Sequence, residues 1–371
     1  MTGKIPKGWK KVKLGEITNI TTGKLNSNAA TPYGKYPFFT CAPSPLRINT
    51  YKFDLDAILL AGNNANGIFH IHRFCGKFNA YQRTYIITPK DTISLDYIFY
   101  ALKLLLNYMK EISYGSATRF LTLKILSNLQ FEIPESLDEQ RVIASVLSSL
   151  DDKIDLLYRE NKTLEQMAQT LFRKWFIEDA KEDWKEVPLK NIYVFEKGFE
   201  PGSKNYLEEK TENAIRFIRV GDMLNSNASI YIDKKIALRT CKEDDLMVSF
   251  DGTVGRVVFG IEGAYSSGIR KVCSDNPVYN NLGLKYLIFT SKDIQDLIKS
   301  YATGTVILHA SSSINHLTFA FPEENDIKKI NTIITPMFDK ILRNKIQIRI
   351  LEQLRDTLLP KLMSGEVKVK Y

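Results

Sequence analysis

The chain has 371 residues, of which 44% are apolar and 25% charged, with a formal net charge of +9. That length exceeds what one core usually fills, so two domains are expected in a chain of ordinary globular composition. No run of eighteen apolar residues is present, which argues against a membrane span, and the basic opening "MTGKIPKGWKKVKLGEI" lacks the apolar centre and cleavage site of a signal peptide. The four cysteines (Cys41, Cys75, Cys241, Cys273) have no CxxC spacing and read as reduced thiols of a cytoplasmic protein. Charge is uneven: +9 over residues 1–137, −3 over 138–180, 0 over 181–322 and +3 over 323–371. An excess of Lys and Arg favours a polyanionic partner through counterion release.

Along the chain, "AILLAG" (57–62) and "RTYIITP" (83–89) are short, β-branched or aromatic, and end at Gly or Pro, as strands do. "LDYIFYALKLLLNYMKEI" (95–112) has helical spacing, and "LQFEIP" (129–134) reads as a strand. A long helix follows, with a seam of Leu147, Leu150, Ile154, Leu157, Asn161, Leu164, Ala168, Leu171 and Trp175. Its spacing alternates three and four, a heptad pattern. The same plan then repeats: strands "RFIRV" (216–220), "RVVFG" (256–260) and "LTFAFP" (317–322), with helical spacing over 284–301. A second long helix has the seam Met337, Ile341, Asn344, Ile348, Leu351, Arg355, Leu358 and Leu362. Thr335-Pro336 reads as an N-cap with proline at the first position, so this helix should start at Pro336, after a short one near 326–334, and stop by Gly365.

The repeat is visible in residues. "LEQMAQTLFRKWF" (164–176) matches "LEQLRDTLLPKLM" (351–363), and "GWKKVKLGEITNITTGK" (8–24) faces "DWKEVPLKNIYVFEKGF" (183–199), placing Gly23 opposite Gly198. "GKFNAYQRTYI" (76–86) faces "GAYSSGIRKVC" (263–273), placing Phe78 opposite Tyr265 and Arg83 opposite Arg270. The expected fold class is therefore α/β (α+β): two pseudo-repeated mixed domains, 1–137 and 181–322, each followed by a helical region, 138–180 and 323–371. The two helices are expected to bury their seams on each other as an antiparallel coiled coil, with Asn161 and Asn344 fixing register. A helix of about 28 residues spans roughly 42 Å, on the scale of one DNA turn of about 34–36 Å.

Catalytic signatures are missing. "NPVY" (276–279) lacks the second proline of the amino-methyltransferase motif, "LEEK" (207–210) has no Pro-Asp partner, and no GxxxxGK[ST] occurs. "HIHRFC" (70–75) lacks a second ligand pair with zinc spacing, so no metal site is assigned. Base edges and phosphates are read instead by Arg, Lys, Asn, Gln and Ser on loops. In the first half the candidates are Asn63, Asn64 and Asn66 of "AGNNANG", then Arg73, Lys77, Asn79, Tyr81, Gln82, Arg83 and Arg119. A strand through 77–83 would put Lys77, Asn79, Tyr81 and Arg83 on one face. In the second half they are Arg219, Asp251, Thr253, Arg256, Ser266, Ser267, Arg270, Lys271 and His309. The helical interface candidates are Leu150, Ile154, Leu157, Asn161, Leu164, Leu171, Trp175, Ile341, Asn344, Ile348, Leu351 and Leu358.

"IPKGWKKVKLGEI", "GKFNAYQRTYI", "LDEQRVIASVLSSLDDKIDLLYRENKTLEQMAQTLFRKWF", "FDGTVGRVVF" and "LEQLRDTLLPKLMSGEV" together resemble the specificity subunit of a type I DNA restriction–modification system. The resemblance covers nearly the whole chain. It implies two target recognition domains that read a split sequence in double-stranded DNA, with spacer helices that dock two methyltransferase subunits and, through them, restriction subunits. It also implies that this chain binds no cofactor, with S-adenosylmethionine, ATP and magnesium on the partners. A coiled-coil assembly scaffold and a fused methyltransferase or nuclease are the alternatives.

Overall fold

The computed structural model describes residues 5–65, 67–90, 93–115, 118–225, 230–304 and 308–370. The chain forms two compact units, Met1–Lys153 with Leu351–Tyr371, and Ile154–Ile350. Each unit therefore takes one stretch of both long helices, Leu137–Arg173 and Glu324–Met363.

In the first unit a six-stranded sheet has the spatial order Thr18–Thr22, Thr84–Pro89, Phe53–Ala61, Ile71–Ala80, Tyr36–Phe39, Leu46–Ile48. The apolar run 57–61 in its central strand is buried on both faces, as a near-continuous apolar strand requires. Ile58 and Leu60 pack with Leu95, Ile98 and Leu102 on the helical side. Ala57 and Leu59 pack with Phe39 and Phe78 on the other. The helical stretch 95–112 is two helices, Leu95–Leu104 and Leu106–Ile112, interrupted at Leu105. Ser94 caps the first by accepting from the Tyr97 N–H. The buried Gln140 carboxamide accepts from the Ser94 N–H (2.9 Å) and donates to the Pro134 carbonyl (2.8 Å), fixing the start of the long helix against the domain.

The second unit carries two four-stranded sheets. One orders Val194–Lys197, Ile269–Cys273, Leu246–Ser249, Val257–Val258; the other orders Tyr231–Asp233, Ala214–Ile218, Gly263–Tyr265, Thr240–Cys241. Helices Leu282–Thr290 and Lys292–Ser300 break at Ser291, as their counterparts break at Leu105.

Strand pairing shows where the repeat alignment slips. Ala61 pairs with Thr84 in the first unit, and Ser249 with Ile269 in the second. Ala80 lies parallel to Phe39, and Tyr265 to Ile218. The N–H of Gly62 donates to the Arg83 carbonyl, and that of Phe250 to the Gly268 carbonyl. Tyr265 is thus the counterpart of Ala80 rather than Phe78, Gly268 that of Arg83, and Arg270 that of Tyr85. The residues similar in type lie two positions away from those that share hydrogen bonds.

The helix segments run antiparallel within each unit. In the first, Leu147 shares a core with Leu359 and Leu362, while Asp151 Oδ1 accepts from Arg355 Nη1 (2.8 Å). In the second, the buried Asn344 Nδ2 donates to Asn161 Oδ1 and Glu160 Oε2, each at 2.8 Å. Ile154, Leu157, Ile341 and Ile348 are buried; Leu150, Leu164, Leu351 and Leu358 are half-buried. Toward the end of the first long helix the seam moves by one residue. Phe172 and Phe176 are buried in the core of the second unit, while Leu171 is half-buried and Trp175 packs half-buried against that core. A 3.6-residue helix drifts against a 3.5-residue repeat in this direction, and the π-helical turn Lys174–Glu178 adds to the offset.

Pro336 does not start a helix. It lies inside Glu324–Met363. The missing N–H disfavours this position, but Ile334 and Phe338 on either side are fully buried in one core, and Asn281 Nδ2 donates to Thr335 Oγ1 (2.7 Å). Tertiary packing overrides the local signal.

Asn344→Ala would strip a buried partner from Asn161 and Glu160, and is expected to destabilise the fold by about 1–3 kcal/mol in urea denaturation. Burial pushes the Asp151 carboxyl up, but Arg355, Lys103 and Tyr100 outweigh it and hold it below its ordinary 3.8. A depressed carboxylate contributes stability above its unfolded pKa and loses it as pH falls through the folded value. Asp151→Asn should therefore lower the thermal midpoint at pH 7, with the difference closing below about pH 4.

Candidate nucleic-acid interface

In the first unit one end of the sheet gathers most of the polar candidates. The central strand ends at Ala61, and Gly62 passes so close to the next strand that a Cβ would sit 2.4 Å from the Arg83 carbonyl. Only glycine fits there. Asn63–Ala65 then pairs with Thr118–Phe120, Asn64 opposite Arg119. Both amide side chains are used in holding the loop: Asn63 Oδ1 accepts from Cys41 Sγ (2.9 Å), and Asn64 Nδ2 donates to the carbonyls of Cys41 (3.2 Å) and Ile68 (2.7 Å). Burial pushes the Cys41 thiol up, so it stays a neutral donor at this contact. Gln82 and Arg83 are exposed, and the Arg83 guanidinium lies over the Phe120 ring, 5.3 Å from its centroid. Arg119 Nη1 donates to the Ser113 carbonyl (3.3 Å).

The other candidates of this unit lie elsewhere. Arg73 donates to the carboxylates of Asp56 and Asp96, which raise its pKa against the opposing effect of burial. Its charge is neutralised in place. The strand ends at Ala80, so Lys77, Asn79, Tyr81 and Arg83 do not share a strand face. Asn79 is buried, accepting from the Ala80 N–H (3.0 Å). Lys77 is exposed and stands over the Tyr51 ring (4.8 Å), which packs on Tyr36 (4.9 Å) with Lys35 beside it. No local sequence pattern marks this aromatic and basic cluster, because Lys35 and Tyr36, Tyr51, and Lys77 lie in three separate stretches of the chain. Asn66 lies outside the described residues.

The second unit builds the same edge from different groups. Asp251–Gly252 pairs with Leu308–His309, and His309 Nδ1 lies 2.8 Å from Asp251 Oδ1. Arg219 is paired with Asp222 (2.7 Å), and Arg256 Nη1 donates to the Val220 carbonyl (2.9 Å). Ser267 donates through its N–H and hydroxyl to Glu200 Oε1 (3.0 and 2.7 Å). Ser266 is buried, Thr253 is exposed, and Lys271 Nζ lies 3.4 Å from Glu196 Oε1. Arg270 is not on the edge. It is 5% exposed and donates to the carbonyls of Ser267 and Ile269 and to Ser311 Oγ, with burial pushing its pKa down. It occupies the place of Tyr85, whose hydroxyl donates to the Leu121 carbonyl (2.9 Å). Strand alternation alone could not separate a buried, hydrogen-bonded arginine from an exposed one.

His72 on the central face is half-buried beside Phe39, and burial lowers its pKa. Among the described residues no group of three or more His, Cys, Asp or Glu is arranged to hold a metal, and no helix is long and apolar enough to cross a membrane.

Two equivalent edges of one plan, both polar and both carried by strand ends, suit reading a polymer rather than enclosing a small molecule. Comparison with known proteins bears on which polymer. The model of the type I restriction modification DNA specificity domain matches residues 6–166 and again 181–352. The chain is 40% identical over 171 residues to the specificity subunit of the type I restriction enzyme EcoDI of Escherichia coli, covering 46% of this chain and 37% of that one. It thus spans well under half of that relative. To the MjaIX specificity subunit of Methanocaldococcus jannaschii it is 26% identical, over 99% of this chain and 95% of the other. The crystal structure of a type I restriction–modification S subunit from M. genitalium shares the fold, with a TM-score of 0.67 at 19% identity over 97% of each chain. With the domain matched twice, once in each half, the chain belongs to the family of type I restriction–modification DNA specificity subunits.

Proposed function

We propose that this chain reads a DNA target in two parts, one per unit, and brings methyltransferase and restriction subunits to it. The observation that carries this reading is the doubled edge: Asn63–Ala65 on Thr118–Phe120 in one unit, Asp251–Gly252 on Leu308–His309 in the other, set at the same place in the same plan but lined by different side chains. Different side chains on equivalent backbones select different bases. The paired helices serve as spacer and as dock for two methyltransferase subunits, through which restriction subunits join. Methylation and cleavage then belong to those partners, with S-adenosylmethionine, ATP and magnesium bound there. The names of the relatives, specificity subunits of type I restriction enzymes, support this division of labour.

Sequencing of modified bases in cells that carry this chain with its methyltransferase is expected to show one motif in two specific parts, separated by a gap of constant length. A continuous motif, or DNA left unmodified, would refute the reading. Binding of the complex should weaken steeply with salt, as phosphate contacts require. Arg270→Ala should act on stability instead, lowering the thermal midpoint by an amount equivalent to about 1–3 kcal/mol through the unpaired groups it leaves buried.

A further inference from the structure

Arginine is the commonest side chain for guanine, because its fork donates at once to O6 and N7 in the major groove. It can do so only if its donors are not already engaged. In the first unit Arg47 donates to the carbonyls of Gly34 and Lys35, Arg73 to Asp56 and Asp96, and Arg119 to Ser113. Arg141 on the long helix is paired with Asp138. Arg83 differs. Among the described residues its guanidinium has no hydrogen-bond or ion-pair partner, and it is exposed.

It is nevertheless held. Its carbonyl accepts from the Gly62 N–H (2.7 Å), which pins the backbone. Its guanidinium rests over the Phe120 ring, and Phe120 is itself fixed by the pairing with Asn63 and by two backbone bonds with Tyr114 (2.7 and 3.0 Å). A cation over an aromatic face is restrained without giving up an N–H. The loss of side-chain freedom that binding would otherwise cost is thereby already met in the free protein. At the equivalent place the second unit carries other groups: Gly268 stands where Arg83 does, and His309, engaged with Asp251, where Phe120 does.

We propose that Arg83 reads one guanine in the major groove through both acceptors of its edge, and that Phe120 is the positioning residue that aims it. This rests on the DNA-recognition reading above and assigns to the first unit a contact that the second does not make.

The test uses the complex of this chain with its methyltransferase partner and a duplex bearing the target found by sequencing of modified bases. Each guanine is replaced in turn by 7-deazaguanine, which removes the N7 acceptor and keeps the base pair. At one guanine the wild type should lose about tenfold in affinity, the lower part of the range for a bidentate pair. Arg83→Ala should lose that sensitivity and accept other bases at the same position. Arg83→Lys, which keeps the charge but not the fork, should also lose most of it. Phe120→Leu should reduce the sensitivity, while Phe120→Tyr retains it; a role in folding alone would lower affinity for every duplex equally. If Arg83→Ala weakens all duplexes alike, the contact is to phosphate and the proposal falls. It falls as well if Arg83→Ala keeps full sensitivity to 7-deazaguanine at every position. A target that proves continuous would instead overturn the two-part reading, which the guanine scan reports separately.

Discussion

The hydrogen bond between Asn344 and Asn161 sets the register on which the second unit is built. A buried carboxamide facing an apolar residue would lose its partner, so any slip by a turn is penalised, whereas apolar seam residues tolerate such slips. Glu160 completes the arrangement by accepting the second amide proton and pairing with Lys340 at 3.5 Å. The first unit uses charge for the same purpose: Asp151 receives Arg355, Lys103 and the Tyr100 hydroxyl (2.8 to 3.0 Å), joining both helix segments to the domain's own helix. Arg355 stands at a seam position, and its carboxylate partner is what allows it to be there.

From that frame each unit presents a similar strand-end edge, and there the two halves diverge in chemistry. Backbone hydrogen bonds are shared, with Gly62 and Phe250 receiving Leu121 and Ala310 through their carbonyls. The side chains are not shared. The first unit exposes Gln82 and Arg83 at its edge, whereas in the second Arg219 is paired with Asp222, Arg256 donates to the Val220 carbonyl and Ser267 donates to Glu200. The zero net charge of residues 181–322 has its structural counterpart in this internal pairing. A duplicated scaffold can vary these few side chains without disturbing the strands, since they lie beyond the buried ladder.

Repeats, long helices and the asparagine seam were legible in the sequence because each follows from periodicity. Places where it misled share one cause. Pro336 reads as a start, yet Ile334 and Phe338 hold the helix through it. Leu171 and Trp175 fit a heptad, yet the accumulated drift presents Phe172 and Phe176. Arg270 resembles Arg83 in type, yet the hydrogen-bond register equates it with Tyr85. In all three, contacts far apart in sequence decide what a local pattern leaves open. The edge itself was partly legible: Gly62 and the asparagines marked a turn, but that the asparagines would be spent on Cys41 and Ile68 was not.

That spending clarifies what makes a side chain at such an edge able to read. Asn63 and Asn64 are polar, loop-borne and well placed, but the Asn63 Oδ1 and the Asn64 Nδ2 are engaged in holding the loop that carries them. A reader must be fixed at its base and free at its tip. Polar support tends to consume the donors it steadies, whereas an aromatic ring steadies a guanidinium through its π face and leaves every N–H outward. Phe120 supplies such a ring, and the His309–Asp251 pair at the equivalent place in the second unit does not. The two edges therefore differ in the physical means of holding their exposed side chains as well as in residue identity; under the proposed reading, the bases they select should differ in kind and not only in order.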